Sequence, residues 1–257
     1  MRRVLASALL WALVACSGGA VARPPGAPSS GPPAPGRQAQ DRSEPRHRAI
    51  AAIREGTGWF VAIPRMRYVP MWDRPDPDPA DYVFDARSPN GGHAPMLVAD
   101  ARVRDGVTWL ELYLPIRPNG VTGWVRERDV RLRPRHERIE VDLSRRILVR
   151  YVHGVPTDRF RVGVGAPAYP TGTGTFYVWV KVAYDPPHPA YGVYALGLSG
   201  FSPVLSDWPG EGRMAIHGTP NAADRGRAVS HGCVRVWNPD MERLVDVPLG
   251  TPVIIRP

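Results

Sequence analysis

A thiol and two imidazoles stand close together near the C-terminal end of the chain. The stretch from Ile216 to Asp240 reads Ile-His-Gly-Thr, a polar loop, then Ser-His-Gly-Cys-Val-Arg-Val-Trp-Asn-Pro-Asp. Cys233 is one of two cysteines in the sequence and follows His217 by sixteen positions and His231 by two. A free cysteine titrates near ~8.5, so it is a poor nucleophile at neutral pH until a base takes its proton. Two bases are candidates. If residues 231–233 are extended, His231 shares a face with Cys233. His217 ends the apolar run Met214-Ala215-Ile216, which reads as a strand, and the loop from Thr219 to Ala228 is long enough to return the chain beside it. A nucleophile and a base brought from separate segments is the arrangement that covalent catalysis uses. Gly218 and Gly232 let the backbone approach a substrate closely, and the amides around Gly232 and Cys233 are candidate oxyanion donors. The chemistry this predicts is covalent catalysis by a cysteine nucleophile.

Three other uses of the thiol compete. A lone cysteine is often a small buried apolar residue, but Ser230, His231, Gly232 and Arg235 make poor core neighbours. A zinc site built on His217, His231 and Cys233 lacks a further cysteine and any His-Glu-x-x-His or Cys-x-x-Cys spacing, so no metal is expected. A redox thiol wants a resolving partner, and none lies near. No cofactor is expected either.

His217-Gly218-Thr219 followed by Ser230-His231-Gly232-Cys233-Val234-Arg235 resembles the signature of the L,D-transpeptidases, the YkuD-type catalytic domains that cross-link bacterial peptidoglycan. Thr171-Gly172-Thr173-Gly174-Thr175-Phe176 resembles the same family's Thr-Gly-Thr-Phe segment. The resemblance implies Cys233 as nucleophile and His217 as proton donor and acceptor, with His231 and Gly232 shaping the oxyanion and substrate pocket beside Gly218. Ser230 and Arg235 occupy signature positions with open roles: the serine braces the loop or lines the pocket, and the arginine binds a substrate carboxylate or holds the turn. Implied partners are peptidoglycan stem peptides, with carbapenem β-lactams as covalent inhibitors. The implied reaction moves the acyl group of a tetrapeptide stem to an amine acceptor. A hydrolase using the same Cys/His pair and a non-catalytic wall-binding lipoprotein are the rival readings.

The elements around this site read as mainly β. Residues 1–15 have a basic start, Met1-Arg2-Arg3, and a short apolar run, which together read as a secretory signal. Leu13-Val14-Ala15-Cys16 resembles a bacterial lipobox, which implies lipidation at Cys16 and a membrane anchor; cleavage after Ala20-Val21-Ala22 is the alternative. The protein is thus expected to be exported and held in the cell envelope. Residues 16–49, crowded with proline, lack the apolar side chains to offset their ordering and read as a disordered tether. Residues 50–134 read as a small SH3-like β-barrel, on the alternating Trp109 to Leu114, the Pro118-Asn119-Gly120 turn and Gly123-Trp124-Val125. Residues 135–257 read as a β-sandwich-like L,D-transpeptidase catalytic domain. Its alternating Ile139, Val141 and Leu143 open a strand, the aromatic stretch from Tyr184 to Trp208 reads as a loop or lid, and Asn238-Pro239 caps a short helix after the nucleophile loop. The net charge of +9 comes from 33 basic and 24 acidic residues dispersed along the chain. Without a basic helix interleaved with aromatics, that charge suits anionic wall polymers rather than nucleic acid.

Overall fold

The structure, a computed structural model, describes residues 44–76, 78–207 and 210–257. The signal segment, Cys16, most of the tether, Pro77 and Trp208 lie outside them. The tether is shorter than expected, because residues assigned to it open a helix, α1 (Glu44–Arg54). Glu44 in its first turn and Arg54 in its last suit the helix dipole, and Ile50 and Ile53 fall on one face and are buried. That apolar pair, just past the expected end of the tether, was the sign of a helix across the boundary.

Seven strands follow: β1 (Trp59–Pro64), β2 (Tyr68–Met71), β3 (Tyr82–Asp85), β4 (Met96–Arg104), β5 (Val107–Tyr113), β6 (Thr122–Arg126) and β7 (Val130–Arg135). They form an antiparallel sheet in the order β6-β5-β4-β1-β7, so the last strand returns beside the first. β2 and β3 make a hairpin that joins β6 through a bridge between Trp72 and Trp124. The inward residues of this sheet, among them Met96, Leu110, Leu112 and Val125, close a core with α1.

The remaining strands are β8 (Glu137–Asp142), β9 (Ile147–Val152), β10 (Val155–Arg161), β11 (Val164–Gly165), β12 (Gly174–His188), β13 (Gly192–Phe201), β14 (Arg213–Thr219), β15 (Ala228–Ser230) and β16 (Val234–Trp237). After the short helix α2 (Asn238–Met241) comes the last, β17 (Pro252–Arg256). Eight of them join in the order β10-β9-β8-β17-β12-β13-β14-β16, while β11 and β15 pair separately. β12 belongs to two halves: residues 174–177 pair with β17, and beyond a bulge at Val178/Val180 the strand pairs with β13. The sheet bends there, and its halves face each other in a sandwich-like way. Ile139, Leu148 and Val253 of one half meet Leu198, Ile216 and Val236 of the other, and Met241, Leu244 and Val247 close the side.

Two expectations are corrected here. Tyr184 to Phe201 is a β-hairpin rather than a loop, because Val180 and Val182 in one arm and Leu196 and Leu198 in the other give it a strand period that its aromatics and prolines mask. Asn238 lies inside α2 rather than capping it. Trp237 holds the cap position without a side-chain bond, and Asn238 Oδ1 is buried with no partner.

The outer face of the β12 half is divided. Its near end packs into the first sheet through Tyr177 and Trp179, and Tyr177 donates from its hydroxyl to the Tyr113 carbonyl at 3.3 Å. The rest of that face is left for a cleft. Tyr177 therefore joins both halves of the molecule, and Tyr177→Ala should lower stability by about 3–5 kcal/mol, the range for emptying a large aromatic site. Tyr177→Phe, which loses only one long hydrogen bond, should cost about 1 kcal/mol. Denaturant midpoints measured at constant slope check both values.

Candidate active site

Alternation along two strands sorts the site residues. In β14, Met214 and Ile216 enter the core, so Ala215 and His217 face the other way; in β16, Val234 and Val236 enter it and Arg235 faces out. β14 and β16 run parallel, with Ile216 beside Val234 and His217 beside Arg235. Cys233 just precedes this register and sits beside Ala215, whose backbone hydrogen-bonds its sulfur. Parallel-strand spacings then put the Cα atoms of His217 and Cys233 roughly 8 Å apart, a gap their side chains can span. Both line a cleft of about 310 Å³.

The floor of the cleft is built from small residues. Ala195 and Gly197 of β13 lie between Ala215 and His217 on one side and Val180 and Val182 on the other. A Cβ on Gly197 would stand 2.4 Å from Val180 Cγ1, so any larger residue there would fill the trough. Tyr184 and Tyr191 of the hairpin line one end, and the Tyr191 ring meets His217 edge to face at 5.1 Å.

Ser230 lines the cleft and also bonds within the turn. Its hydroxyl donates to the Cys233 carbonyl at 2.6 Å and accepts from the Gly232 amide at 3.1 Å, tying the nucleophile turn into a small ring of bonds. The Gly232 amide is therefore engaged and is not a free oxyanion donor as expected. Gly232 has φ +114, a left-handed conformation that a side chain would strain. The same turn overturns the idea that His231 and Cys233 share an extended face. His231 is exposed at the cleft edge, its ring 4.7 Å from Tyr169. Gly218 serves close approach: a Cβ there would lie 2.4 Å from Asn238 Oδ1.

Arg235 lines the cleft but is held from below, its Nη1 donating to Asp224 Oδ2 at 3.1 Å. Asp224 is buried and also accepts from Thr219 Oγ1 at 3.1 Å and Asn221 Nδ2 at 3.0 Å. This cluster fixes the loop that joins β14 to β15. Asp224 was missed in the sequence; Asn221, which caps the turn at 222–224 by accepting from the Ala223 amide, was the available signal. Among the described residues, no three of histidine, cysteine, aspartate and glutamate gather as a metal site.

Comparison with known proteins agrees with this geometry. The family profile described as the L,D-transpeptidase catalytic domain, YkuD, matches residues 136–255. The chain is 33% identical over 119 residues to the putative L,D-transpeptidase YkuD of Bacillus subtilis, covering 46% of this chain and 65% of that protein. It is 35% identical over 121 residues to the Bacillus licheniformis counterpart, covering 47% and 66%. The chain thus spans a little under two thirds of the length of these curated relatives. Among solved structures, the catalytic domain of an E. faecium L,D-transpeptidase acylated by ertapenem is 26% identical, covering 47% of this chain and 97% of that one at a TM-score of 0.36.

The electrostatics of the site keep its thiol and imidazole neutral at rest. His217 is 3% exposed, and burial pushes its imidazole down from 6.5 to about 4, against the opposing pull of a hydrogen bond to the Gly218 carbonyl. That bond, 2.8 Å from Nδ1, requires the proton on Nδ1, because a carbonyl only accepts. Nε2 is then the basic nitrogen. Burial raises the Cys233 thiol above its ordinary 9.0, while the Ala215 backbone bond and the Arg235 charge work against that rise. The resting pair is thiol and imidazole rather than thiolate and imidazolium.

Two pH effects follow. Above pH 6.5 His217 is neutral in both the folded and the unfolded chain and contributes no pH dependence. Between pH 6.5 and 4 only the unfolded chain takes up the proton, so stability falls with falling pH across that window, by up to about 3 kcal/mol from this residue. Denaturation midpoints from pH 7 to 4 should decline more steeply for the wild type than for His217→Asn. Alkylation of Cys233 by iodoacetamide should still be accelerating at pH 9; a plateau reached between pH 6 and 7 would instead report an ion pair at rest.

Proposed function

We propose that the protein is a peptidoglycan L,D-transpeptidase working through a cysteinyl acyl-enzyme. The observation that carries this reading is the shared face of β14 and β16, where the Cys233 thiol and the His217 imidazole open together onto a cleft with a floor of small side chains. The match of residues 136–255 to the L,D-transpeptidase catalytic-domain profile supports it.

In the first half-reaction Cys233 Sγ attacks the carbonyl that joins an L- to a D-centre in a tetrapeptide stem, and its proton passes to His217 Nε2 as the carbon–sulfur bond forms. The developing oxyanion is met by the Cys233 amide, since the Gly232 amide is already committed to Ser230. The intermediate collapses to the thioester, and the terminal D-amino acid leaves with the proton from Nε2. In the second half-reaction an acceptor amine occupies the vacated side, Nε2 takes its proton as nitrogen attacks the thioester, and the thiol is released with that proton. The product is a new amide in the wall. Tyr184 and Tyr191 supply flat apolar faces for the stem beside the reacting carbonyl.

The rest of the chain suits a wall enzyme. The first sheet, in which β7 returns beside β1 after a single 3-10 turn at Glu127–Asp129, supports an SH3-like reading of residues 50–134. Lipidation at Cys16 after removal of residues 1–15 would anchor the protein to a membrane in the cell envelope, and the net charge of +9 suits anionic polymers there.

Carbapenems carry a strained acyl group that a cysteine can open, so the purified protein should gain the mass of one carbapenem. Cys233→Ala should gain none, and His217→Ala should react about a hundredfold to ten-thousandfold more slowly. An unmodified wild type by intact-mass spectrometry would refute the acyl-enzyme. Muropeptides incubated with and without an amine acceptor separate transfer from hydrolysis: transfer yields the acceptor adduct as the main product. In cells, Cys16→Ala should move the protein from the membrane to the soluble fraction, and continued membrane association would exclude the lipid anchor.

A further inference from the structure

We infer that the first β unit holds one wall of the catalytic cleft in place, and that Arg117 is the residue that positions this wall. The claim rests on the acyl-transfer reading for the identity of the substrate but not for the geometry.

The wall is the segment between β13 and β14. Ser202, Leu205, Gly210 and Gly212 line the cleft opposite the nucleophile turn. The described residues of the segment bring few buried side chains to hold it, and their own bonds, from the Ser202 amide to the Gly212 carbonyl at 2.7 Å and from the Leu205 amide to Ser202 Oγ at 3.1 Å, close only its base. Pro203, Val204, Ser206, Asp207 and Glu211 are exposed, and Ser202 and Gly212 are the buried members among the described residues. A connection with so few apolar contacts has low local stability unless it is tied from outside.

The tie is one guanidinium from the turn between β5 and β6. Arg117 Nη1 donates to the Ser202 carbonyl at 3.2 Å, and Nη2 donates to the carbonyls of Leu205 at 2.7 Å and Glu211 at 2.6 Å. Its flat face lies 4.7 Å from the Phe201 ring. One side chain thus gathers three carbonyls from both ends of the segment, which the planar fork of arginine can do and the point charge of lysine cannot. A slot is kept for it. Gly212 has φ +71, and a Cβ there would meet the Leu205 carbonyl at 2.0 Å and Arg117 Nη2 at 3.0 Å.

Two neighbours reinforce the tie. The Asn119 side chain donates from Nδ2 to the Phe201 carbonyl and accepts from the Phe201 amide at Oδ1, both at 2.8 Å, so its amide pairs with the end of β13 as a strand residue would. Arg213 stacks between Trp179 at 4.0 Å and Phe201 at 4.2 Å, and its Nη2 reaches the Pro115 carbonyl at 3.3 Å. The line of contact continues to the chemistry. Ser202, whose carbonyl Arg117 holds, accepts from the Leu205 amide at Oγ and stands 3.7 Å from where a Cβ of Gly232 would be, next to Cys233. The first unit sets how far the wall stands from the nucleophile.

The full chain and its Arg117→Ala, Arg117→Lys and Asn119→Ala variants test this. For each, the rates of Cys233 modification by a carbapenem, by iodoacetamide and by a bulky fluorescein maleimide are read by intact mass, with KM and kcat for a tetrapeptide muropeptide. Arg117→Ala should slow carbapenem acylation roughly tenfold to a hundredfold, the loss expected when a positioning group is displaced by about an ångström. It should raise KM more than it lowers kcat and leave the iodoacetamide rate within about twofold, since the thiol and imidazole are untouched. The ratio of maleimide to iodoacetamide rates should shift several-fold, Arg117→Lys should fall between wild type and alanine, and Asn119→Ala should move the same way by less. Folded alanine variants with wild-type acylation, KM and reagent ratio would overturn the proposal. So would a parallel loss of all three modification rates that tracks loss of folded protein by circular dichroism, because that reports stability alone. A wild type that resists carbapenem and turns over no muropeptide defeats the acyl-transfer reading, and the reagent ratio then still decides whether Arg117 sets the wall.

Discussion

The parallel pairing of β14 with β16 is the constraint on which the rest of the site hangs. Two parallel neighbours need a crossover between them, and here it runs through residues 220–233, the stretch that also carries the nucleophile turn. The crossover does not fix itself by apolar burial. It is fixed by a buried carboxylate, Asp224, which gathers Arg235, Thr219 and Asn221, and by the Ser230 hydroxyl, which closes the turn onto Cys233. A buried ion of this kind is tolerated because its oxygens are filled by donors. Once the register is held, strand alternation does the sorting: the branched residues of both strands go to the core, and the imidazole and thiol are left together on the opposite face.

That opposite face would ordinarily be covered. In this chain the first β unit covers only its near end, through Tyr177 and Trp179. The uncovered remainder carries Ala195, Gly197 and Ala215, too small to fill the space above them, so a trough persists beside the reactive pair. The cleft is thus a boundary effect, formed where one packing partner stops and small side chains begin. This is why residues far apart in the sequence, Arg117 and Gly212 for instance, meet at its edge.

Much of the site could be read from the sequence because local rules govern it. The apolar run before His217, the glycines at 218 and 232, and the long loop back to Cys233 each carry information within a few residues. The alternation of Ile139 and Val141 likewise marked a strand. What stayed hidden depends on partners remote in sequence. The hairpin from Tyr184 to Phe201 was obscured because aromatics and prolines at its tip outweigh the period-two pattern of its arms. His231 was misplaced because the left-handed turn at Gly232 redirects the chain between two residues that alternation alone would align. Asp224 ties the nearby Thr219 and Asn221 to Arg235, eleven positions on, and that last partner leaves no local mark. Arg117 is the extreme case, since its carbonyl partners lie 85 to 94 residues away and leave no mark on its own neighbours.

Burial and reactivity pull against each other in this site, and the tautomer of His217 reconciles them. Removing the imidazole and thiol from water disfavours both charged forms, so a thiolate held in advance would be costly and would react with any passing electrophile. The Gly218 carbonyl holds the proton on Nδ1 and leaves Nε2 as the available base. In the proposed acyl transfer, nucleophilic character arises only as sulfur bonds to a carbonyl already seated in the cleft, with the proton moving to Nε2 in the same step. The imidazolium that forms is stabilised by the developing oxyanion a few ångströms away, a partner that the empty cleft does not provide. On the acyl-transfer proposal, selectivity for a seated acyl donor follows from the same burial that suppresses the free thiolate, and a mutation that opened the site to water would raise general thiol reactivity while weakening the discrimination between the proposed stem peptide and any other electrophile.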